Sequence, residues 1–227
     1  MTGLVNFIRE LRHSRAHELE AKRVNKELAN IRLKFKDGNL NGYNKRKYVA
    51  KLLYMYVLGF EIDFGHLECV NLMASIKYQE KQMAYLAATM MISENHELAP
   101  LVVNSVRKDL DSTNINFSSL ALHAVTNIAS RELADLMVND VFKMFTSGSV
   151  STEIKKKAGL CLLRIYRKYP ELVPGDLWAQ DILAVINDSN LAVVNSAVAL
   201  IIALAQQYEE AYRPAVVKII NRLHKVY

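Results

Sequence analysis

Basic side chains are concentrated in the first quarter of this 227-residue chain. Thirteen of its 29 Lys and Arg residues lie within residues 1–51, which hold only five of its 23 Asp and Glu residues. The first 51 residues therefore carry a net charge of +8, and the rest a net charge of −2. The density peaks at Lys45-Arg46-Lys47-Tyr48, just after the turn-rich residues 37–42. Such a run at the start of a helix presents several cations and helix N–H groups to one anion.

The residues alone leave three interpretations of this cluster open. Its members fall within 18 residues, in a stretch whose only acid is Asp37. They are Lys34, Lys36, Tyr43, Lys45, Arg46, Lys47 and Lys51. They form a solvated basic face, a contact for phosphoinositide or anionic membrane, or a nucleic-acid surface. Only Phe35, Tyr43 and Tyr48 are available for stacking on bases, which disfavours nucleic acid.

A second basic group follows later in the chain, on one amphipathic helix. Its members are Lys155, Lys156, Lys157, Arg164, Arg167 and Lys168. On such a helix, basic residues usually form the solvated face, and this is the favoured interpretation. A secondary contact with an acidic membrane or partner is the alternative.

The remaining reactive residue types do not assemble into a catalytic or metal-binding motif. The six histidines are scattered, and the sequence has no Gly-rich phosphate loop and no nucleophile elbow. We therefore predict no enzyme, no metal and no cofactor. His123, Cys69 and Cys161 lie in apolar patterns and are predicted to be core residues, with the cysteines reduced. The longest apolar run, 191–205, is shorter than the roughly 20 residues that span a bilayer.

Helical patterns extend over nearly the whole chain, and glycine and proline are scarce, at eight and four residues. Apolar residues recur with helical spacing, as in Ile154, Ala158, Cys161, Leu162 and Ile165. The early helices are predicted over Glu18–Phe35, Lys45–Leu58, Gly65–Ala74 and Glu80–Ile92. The pattern predicts an all-α protein.

Comparable apolar helices recur at a nearly fixed interval. Their predicted starts lie near residues 48, 84, 121, 158 and 197, which are 36 to 39 residues apart. Two helices per repeat at this spacing are typical of an armadillo/HEAT-like right-handed α-solenoid, a superhelix of paired helices. Residues 1–227 are predicted to form one solenoid domain. Residues 214–227 resemble the first helix of a further repeat, which suggests the N-terminal part of a longer protein.

Four segments carry a resemblance to a known family. They are 22–32 (KRVNKELANIR), 42–49 (GYNKRKYV), 63–66 (DFGH) and 158–164 (AGLCLLR). In order and spacing they resemble the start of the α-adaptins, the large subunits of the plasma-membrane clathrin adaptor. The resemblance runs from Gly3 to the end of the chain.

The resemblance implies a scaffold subunit of clathrin-mediated endocytosis and vesicle-mediated protein transport. Its partners would be the σ, μ and β subunits of the adaptor heterotetramer, cargo sorting signals and, indirectly, the clathrin coat, with no nucleic acid. It would act at the cytoplasmic face of the plasma membrane, in coated pits, and in the cytosol. The implied residues for phosphatidylinositol 4,5-bisphosphate are Lys34, Tyr43, Lys45, Arg46, Lys47 and Lys51.

The resemblance also implies a cargo site. Arg12, together with the σ subunit, would bind the acidic residue of [Glu/Asp]-x-x-x-Leu-[Leu/Ile] sorting signals, and residues 18–35 would pack on σ. The first alternative is a γ-type adaptor subunit at Golgi and endosomal membranes. The second is a nucleic-acid-binding or nuclear-transport solenoid, which the single tryptophan, Trp178, disfavours.

Overall fold

The computed structural model describes residues 2–14, 16–93, 95–128 and 130–224. These residues fold into helices and connecting loops, without a β-strand among them, which confirms the all-α prediction. The chain forms two compact units, residues 1–105 and residues 106–227. That the whole chain is one domain stays a prediction.

The first unit is built from helices that follow one another closely along the chain. They are α1 (Thr2–Arg12), α2 (His17–Lys36), α3 (Gly42–Val57), α4 (His66–Met73) and α5 (Tyr78–Met91), and α6 (Ala99–Leu110) begins within this unit. Asn41 starts α3, since its Oδ1 accepts a hydrogen bond from the Asn44 amide at 2.9 Å. Gly65 precedes α4 with a φ of +86°, in the left-handed region that favours glycine.

The core that bears on function lies where α1, α2 and α3 meet. It is a cluster of buried apolar side chains: Phe7, Leu11, Val24, Ile31, Tyr48, Leu52 and Met55. Two of them, Phe7 and Leu11, come from α1. The short first helix is therefore anchored on the next two helices by its apolar side.

The second unit is arranged around α9. Its elements are α7 (Ile115–Ile128), α8 (Arg131–Thr146), α9 (Thr152–Lys168), α10 (Ala179–Ala184), α11 (Leu191–Ala205), α12 (Glu209–Tyr212) and α13 (Ala215–His224), with 3-10 turns at Pro170–Leu172 and Val185–Asn187. Helix α9 packs on α7, α8 and α11. A Cβ at Gly159 would lie 2.8 Å from both Phe145 and Ser196, so glycine permits this close packing.

The apolar helices repeat with the spacing seen in the sequence. Helices α3, α5, α7, α9 and α11 begin at Gly42, Tyr78, Ile115, Thr152 and Leu191, each six residues before the start read from the sequence. In α3 the buried positions begin at Tyr48, whereas in α11 the buried Val193 and Val194 already lie in the first turn.

Several individual predictions are decided by burial. Cys69 and Cys161 are free and buried, as predicted, and burial raises the pKa of each thiol to about 12. His123 was predicted to lie in the core, and this is wrong, because its side chain is exposed on α7. None of the described helices has the length and apolar character needed to cross a membrane.

Candidate anion-binding surface

The three consecutive cations of the predicted cluster lie in the first two turns of α3. Lys45, Arg46 and Lys47 are all half-buried, so their stems rest on the protein. No carboxylate pairs with any of them among the described residues. Their positive charge is therefore left uncompensated at close range.

Neutral amides hold two of these cations in place. Arg46 donates from Nη1 to the Gln79 side-chain oxygen, at the start of α5, and its guanidinium lies 5.7 Å from the Tyr43 ring centroid. Lys47 donates from Nζ to Asn44 Oδ1 at 2.9 Å and lies 4.6 Å from the centre of the Tyr48 ring. These contacts orient the cations without neutralising them.

A buried carboxylate lies against the start of α3. A Cβ at Gly42 would collide with the carboxylate of Glu80, which receives a 2.7 Å hydrogen bond from Ser75 Oγ. Lys77 Nζ is 3.6 Å from the same carboxylate. The sequence predicted that helix N–H groups and cations would act together on an anion. In the structure, this end of the helix already has a carboxylate beside it.

Lys51 does not lie on the exposed surface. It is 7% exposed, and its Nζ is 2.6 Å from Oε1 of Glu27 on α2. Burial alone would raise the pKa of Glu27, but hydrogen bonds from Lys51 and Arg23 outweigh it and lower that pKa. Lys51 was predicted to contact lipid, whereas the structure directs it inward to an internal acid.

The remaining predicted lipid residues differ in position. Tyr43 is exposed, one turn before Lys47 on α3. Lys34 is exposed in the last turn of α2. Its neighbour Phe35 meets the Tyr48 ring edge-on at 6.1 Å, which holds this end of α2 beside α3. The structure thus brings together Tyr43, Lys45, Arg46 and Lys47, with Lys34 on the adjoining helix.

The predicted cargo residue lies at the end of α1. Arg12 is exposed, and no acid pairs with it within the part of the chain that the structure describes. Its neighbour Leu11 is buried, and Glu10 accepts a 2.7 Å hydrogen bond from Arg23 of α2. Helix α1 therefore presents Arg12 to solvent on a backbone that is fixed on one side.

The second basic group is different, because carboxylates neutralise part of it. Lys155 Nζ lies 3.0 Å from Asp188, and Lys157 Nζ lies 2.8 Å from Glu153. Lys157 also donates to Ser119 of α7. These lysines join neighbouring segments of the second unit, as expected of structural rather than ligand-binding cations.

Four residues of the first surface were missed by reading the sequence. Asn44 and Gln79 orient the cations, Glu80 faces the start of α3, and Glu27 binds Lys51. Only Asn44 carried a local signal, since it lies three residues before Lys47 on the same helix. The other three lie on helices other than α3: Gln79 and Glu80 on α5, and Glu27 on α2.

Comparisons with known proteins agree on one family. The sequence model of the family described as the adaptin N-terminal region matches residues 20–227. The AP-2 complex subunit alpha-2 of Dictyostelium discoideum is 42% identical over 100% of this chain and 23% of its own length. The AP-2 complex subunit alpha of Schizosaccharomyces pombe is 44% identical over 97% of this chain and 25% of its own. The AP-1 complex subunit gamma-1 of Mycosarcoma maydis is 34% identical over 97% of this chain and 25% of its own.

The chain thus spans about a quarter of the length of these relatives. Among structures, a chain of the full-length AP-3 complex in an intermediate open conformation gives a TM-score of 0.63 at 24% identity, over 82% of this chain and 31% of its own. This likeness concerns the fold alone and confirms the predicted α-solenoid. Identity is higher with the alpha subunits than with the gamma subunit, which confirms the resemblance to α-adaptins. With a family model matching nearly its whole length, the chain belongs to the adaptin family.

Proposed function

We propose that this chain is the N-terminal part of a clathrin adaptor large subunit that binds phosphatidylinositol 4,5-bisphosphate at the plasma membrane. The lipid site consists of Lys45, Arg46 and Lys47, with Tyr43 and Lys34 beside them. The chain scaffolds a heterotetramer with σ, μ and β subunits and performs no catalysis of its own. The names of the AP-2 relatives support the adaptor role.

The observation that carries the lipid proposal is the uncompensated charge on α3. Two of the three neighbouring cations, Arg46 and Lys47, are oriented by amides and rings, and no described carboxylate pairs with any of the three. Each basic residue near an anionic membrane surface contributes about 1 kcal/mol to binding. Together they give reversible attachment that weakens with salt, because exposed charges are screened over roughly 10 Å at 0.1 M ionic strength.

The cargo part of the proposal rests on Arg12. Its exposed guanidinium, on a helix fixed by Phe7 and Leu11, forms a charge-assisted hydrogen bond with the acidic residue of a dileucine signal held by σ. Lipid and cargo therefore bind at different residues of the first unit.

The lipid experiment compares anions. Binding of the chain with its σ partner is measured to vesicles containing phosphatidylinositol 4,5-bisphosphate or 4-phosphate, and to DNA and RNA of equal charge. We expect the bisphosphate vesicles to bind most tightly. The variant Lys45→Glu/Lys47→Glu should lose most of this binding, whereas Arg107→Glu/Lys108→Glu, an equal charge change on exposed residues of α6, should retain it. Equal binding to all anions contradicts the proposal, and preference for the 4-phosphate favours a γ-type adaptor.

The cargo experiment is a double-mutant cycle between Arg12 and the acidic residue of the peptide. Arg12→Ala should weaken binding of an acidic dileucine peptide about tenfold, as expected for a charged hydrogen bond of roughly 1.5 kcal/mol. The same variant should bind a peptide whose acidic residue is alanine as well as the unaltered chain does. Equal losses for both peptides would assign Arg12 a different role.

A further inference from the structure

The loop between α4 and α5 presents an isoleucine to solvent. Ile76 is 88% exposed, the largest exposed fraction of any bulky apolar side chain in the described part of the chain. Its neighbours Lys77 and Tyr78 are exposed as well. Single apolar residues are common on protein surfaces, so the meaning of this one depends on how it is held and on what lies beside it.

Hydrogen bonds fix the residues on both sides of Ile76. The hydroxyl of Ser75 donates to Oε2 of Glu80 at 2.7 Å and accepts a hydrogen bond from the backbone N–H of Lys77 at 3.1 Å. Glu80 belongs to α5 and is itself buried. The backbone of the loop is therefore tied to the first turn of α5, while the Ile76 side chain remains uncovered.

The same carboxylate places this loop beside the proposed lipid site. Glu80 lies against Gly42, the first residue of α3, and Arg46 of α3 donates a hydrogen bond to Gln79 of α5. The first turns of α3 and α5 are thus side by side. The loop that leads into α5 is consequently a neighbour of the basic run of α3.

Three kinds of side chain that contact a bilayer at different depths are present on this surface. The cations of α3 match lipid phosphates, and the exposed rings of Tyr43 and Tyr78 match the headgroup layer, where tyrosine is enriched. An aliphatic side chain is most stable deeper, against the acyl chains. Ile76 is the exposed aliphatic residue of this loop.

We propose that Ile76 enters the apolar boundary of the bilayer when the basic run of α3 holds the phosphates of an inositol lipid. Apolar burial then strengthens an attachment that otherwise depends on charge. The inference rests on the proposed lipid site, and it makes the ligand of this surface an intact membrane rather than a free inositol phosphate.

A fluorophore that responds to its environment tests the insertion directly. Ile76→Cys provides the attachment point, and the two native cysteines are buried and stay unlabelled. The labelled chain, with its σ partner, is added to vesicles containing phosphatidylinositol 4,5-bisphosphate. The emission should shift to the blue and should be quenched by nitroxide groups on the acyl chains. Soluble inositol trisphosphate should cause no shift, because it supplies phosphates without a bilayer.

The matched control is Val57, an exposed aliphatic residue at the other end of α3. A helix of 16 residues is about 24 Å long, so this position is far from the basic run. The same fluorophore attached through Val57→Cys should respond neither to the vesicles nor to the nitroxide groups.

Vesicle binding measures how much the contact contributes. Ile76→Ser should weaken binding about tenfold, the scale of burying one aliphatic side chain, whereas Val57→Ser and Ile76→Leu should bind as the unaltered chain does. The loss caused by Ile76→Ser should persist as ionic strength rises, because apolar burial is not screened. The loss caused by Lys45→Glu/Lys47→Glu should shrink.

Three outcomes overturn the inference. A label at residue 76 that stays unquenched on bound vesicles would show that this position remains in water. Equal binding by Ile76→Ser and the unaltered chain would show that the contact contributes nothing. A blue shift on adding the μ and β subunits without vesicles would assign Ile76 to a protein contact. Failure of the proposed lipid site looks different, because Lys45→Glu/Lys47→Glu would then bind vesicles normally, while the label still reports whether residue 76 meets lipid.

Discussion

Helices α3 and α9 carry the same charge pattern at the same place but use it differently. The cations are the fourth to sixth residues of each helix, Lys45-Arg46-Lys47 in α3 and Lys155-Lys156-Lys157 in α9. In α3 two of the three contact amides and aromatic rings, whereas in α9 two of the three bind carboxylates. Two equal runs of lysine and arginine thus present unequal charge, because the acids beside them differ.

The position that makes the difference is the second residue of each helix. Glu153 of α9 pairs with Lys157 one turn later, while the equivalent residue of α3 is Tyr43. A second acid, Asp188, lies in the loop before α11 and binds Lys155. A basic run is therefore a candidate binding site only when its neighbours in sequence and space leave it unpaired.

The largest expected effect is the loss of vesicle binding when the basic run of α3, but not that of α9, is changed to neutral residues. Changing Lys45, Arg46 and Lys47 to glutamine should weaken binding to phosphatidylinositol 4,5-bisphosphate vesicles about 100-fold, since three basic residues contribute roughly 3 kcal/mol. The same change at Lys155, Lys156 and Lys157 should have little effect. Vesicle sedimentation at fixed ionic strength measures both. Equal losses would show that paired lysines also serve the membrane.

The next effect is on stability, where a lysine change in α9 should cost more than the same change in α3. Lys155→Met should lower the free energy of unfolding by about 2 kcal/mol, because it leaves Asp188 half-buried without its cation. Lys45→Met should change it by less than about 0.5 kcal/mol, as is usual at surface positions without a partner. Urea unfolding of the two variants provides the measurement. A larger cost at Lys45 would mean that α3 also uses its cations for folding.

A smaller effect is expected when α3 is given the acid of α9. Tyr43→Glu places a carboxylate four residues before Lys47, the spacing of Glu153 and Lys157. It should bind bisphosphate vesicles about fivefold more weakly than the matched variant Tyr43→Gln, since one lysine is neutralised. Comparing the two variants removes the contribution of the ring. Equal binding by both would show that this pairing does not form in α3.

The smallest expected effect is the loss of folding stability in mild acid. Hydrogen bonds from Lys51 and Arg23 lower the pKa of Glu27 despite its burial, and hydrogen bonds from the Asn190 backbone N–H and from Lys155 lower that of Asp188. Each acid therefore stabilises the fold fully above its unfolded pKa and loses this contribution as pH falls. That unfolded pKa is 4.5 for Glu27 and 3.8 for Asp188. Between pH 6 and pH 4, Glu27 should therefore account for a loss of less than about 1 kcal/mol, and Asp188 for less still.

Unfolding of two variants over this pH range measures the difference. Glu27→Gln should flatten the pH dependence more than Asp188→Asn does. The reverse order would indicate that the α9 pair, rather than the buried pair under α1, responds first to acid.

Local sequence patterns were sufficient to predict the helices and their repeat. Apolar spacing is a feature of neighbouring residues, and five helices recur with the predicted interval. The three consecutive cations of the basic cluster were also predictable, because Lys45, Arg46 and Lys47 stand in a stretch without acids.

Features that depend on distant residues could not be read in the same way. Lys51 is one turn beyond Lys47 and looks like a further member of the surface, but its partner Glu27 is 24 residues away, on another helix. His123 lies within an apolar pattern, yet it falls on the exposed side of α7. In both cases the direction of one side chain depends on how helices pack, which local periodicity does not specify.

The carboxylate of Glu80 beside Gly42 has a consequence for selectivity. With an acid against the first turn of α3, backbone N–H groups are poorly placed to enclose a phosphate, and long side chains are left to receive it. A lysine ammonium is a point charge on a long stem, so it responds to total charge more than to the outline of a ring. The affinity of the surface for an inositol lipid should therefore depend on the number of phosphates rather than on their positions on the ring. Isomeric bisphosphates should bind with similar affinity, and a monophosphate should bind more weakly.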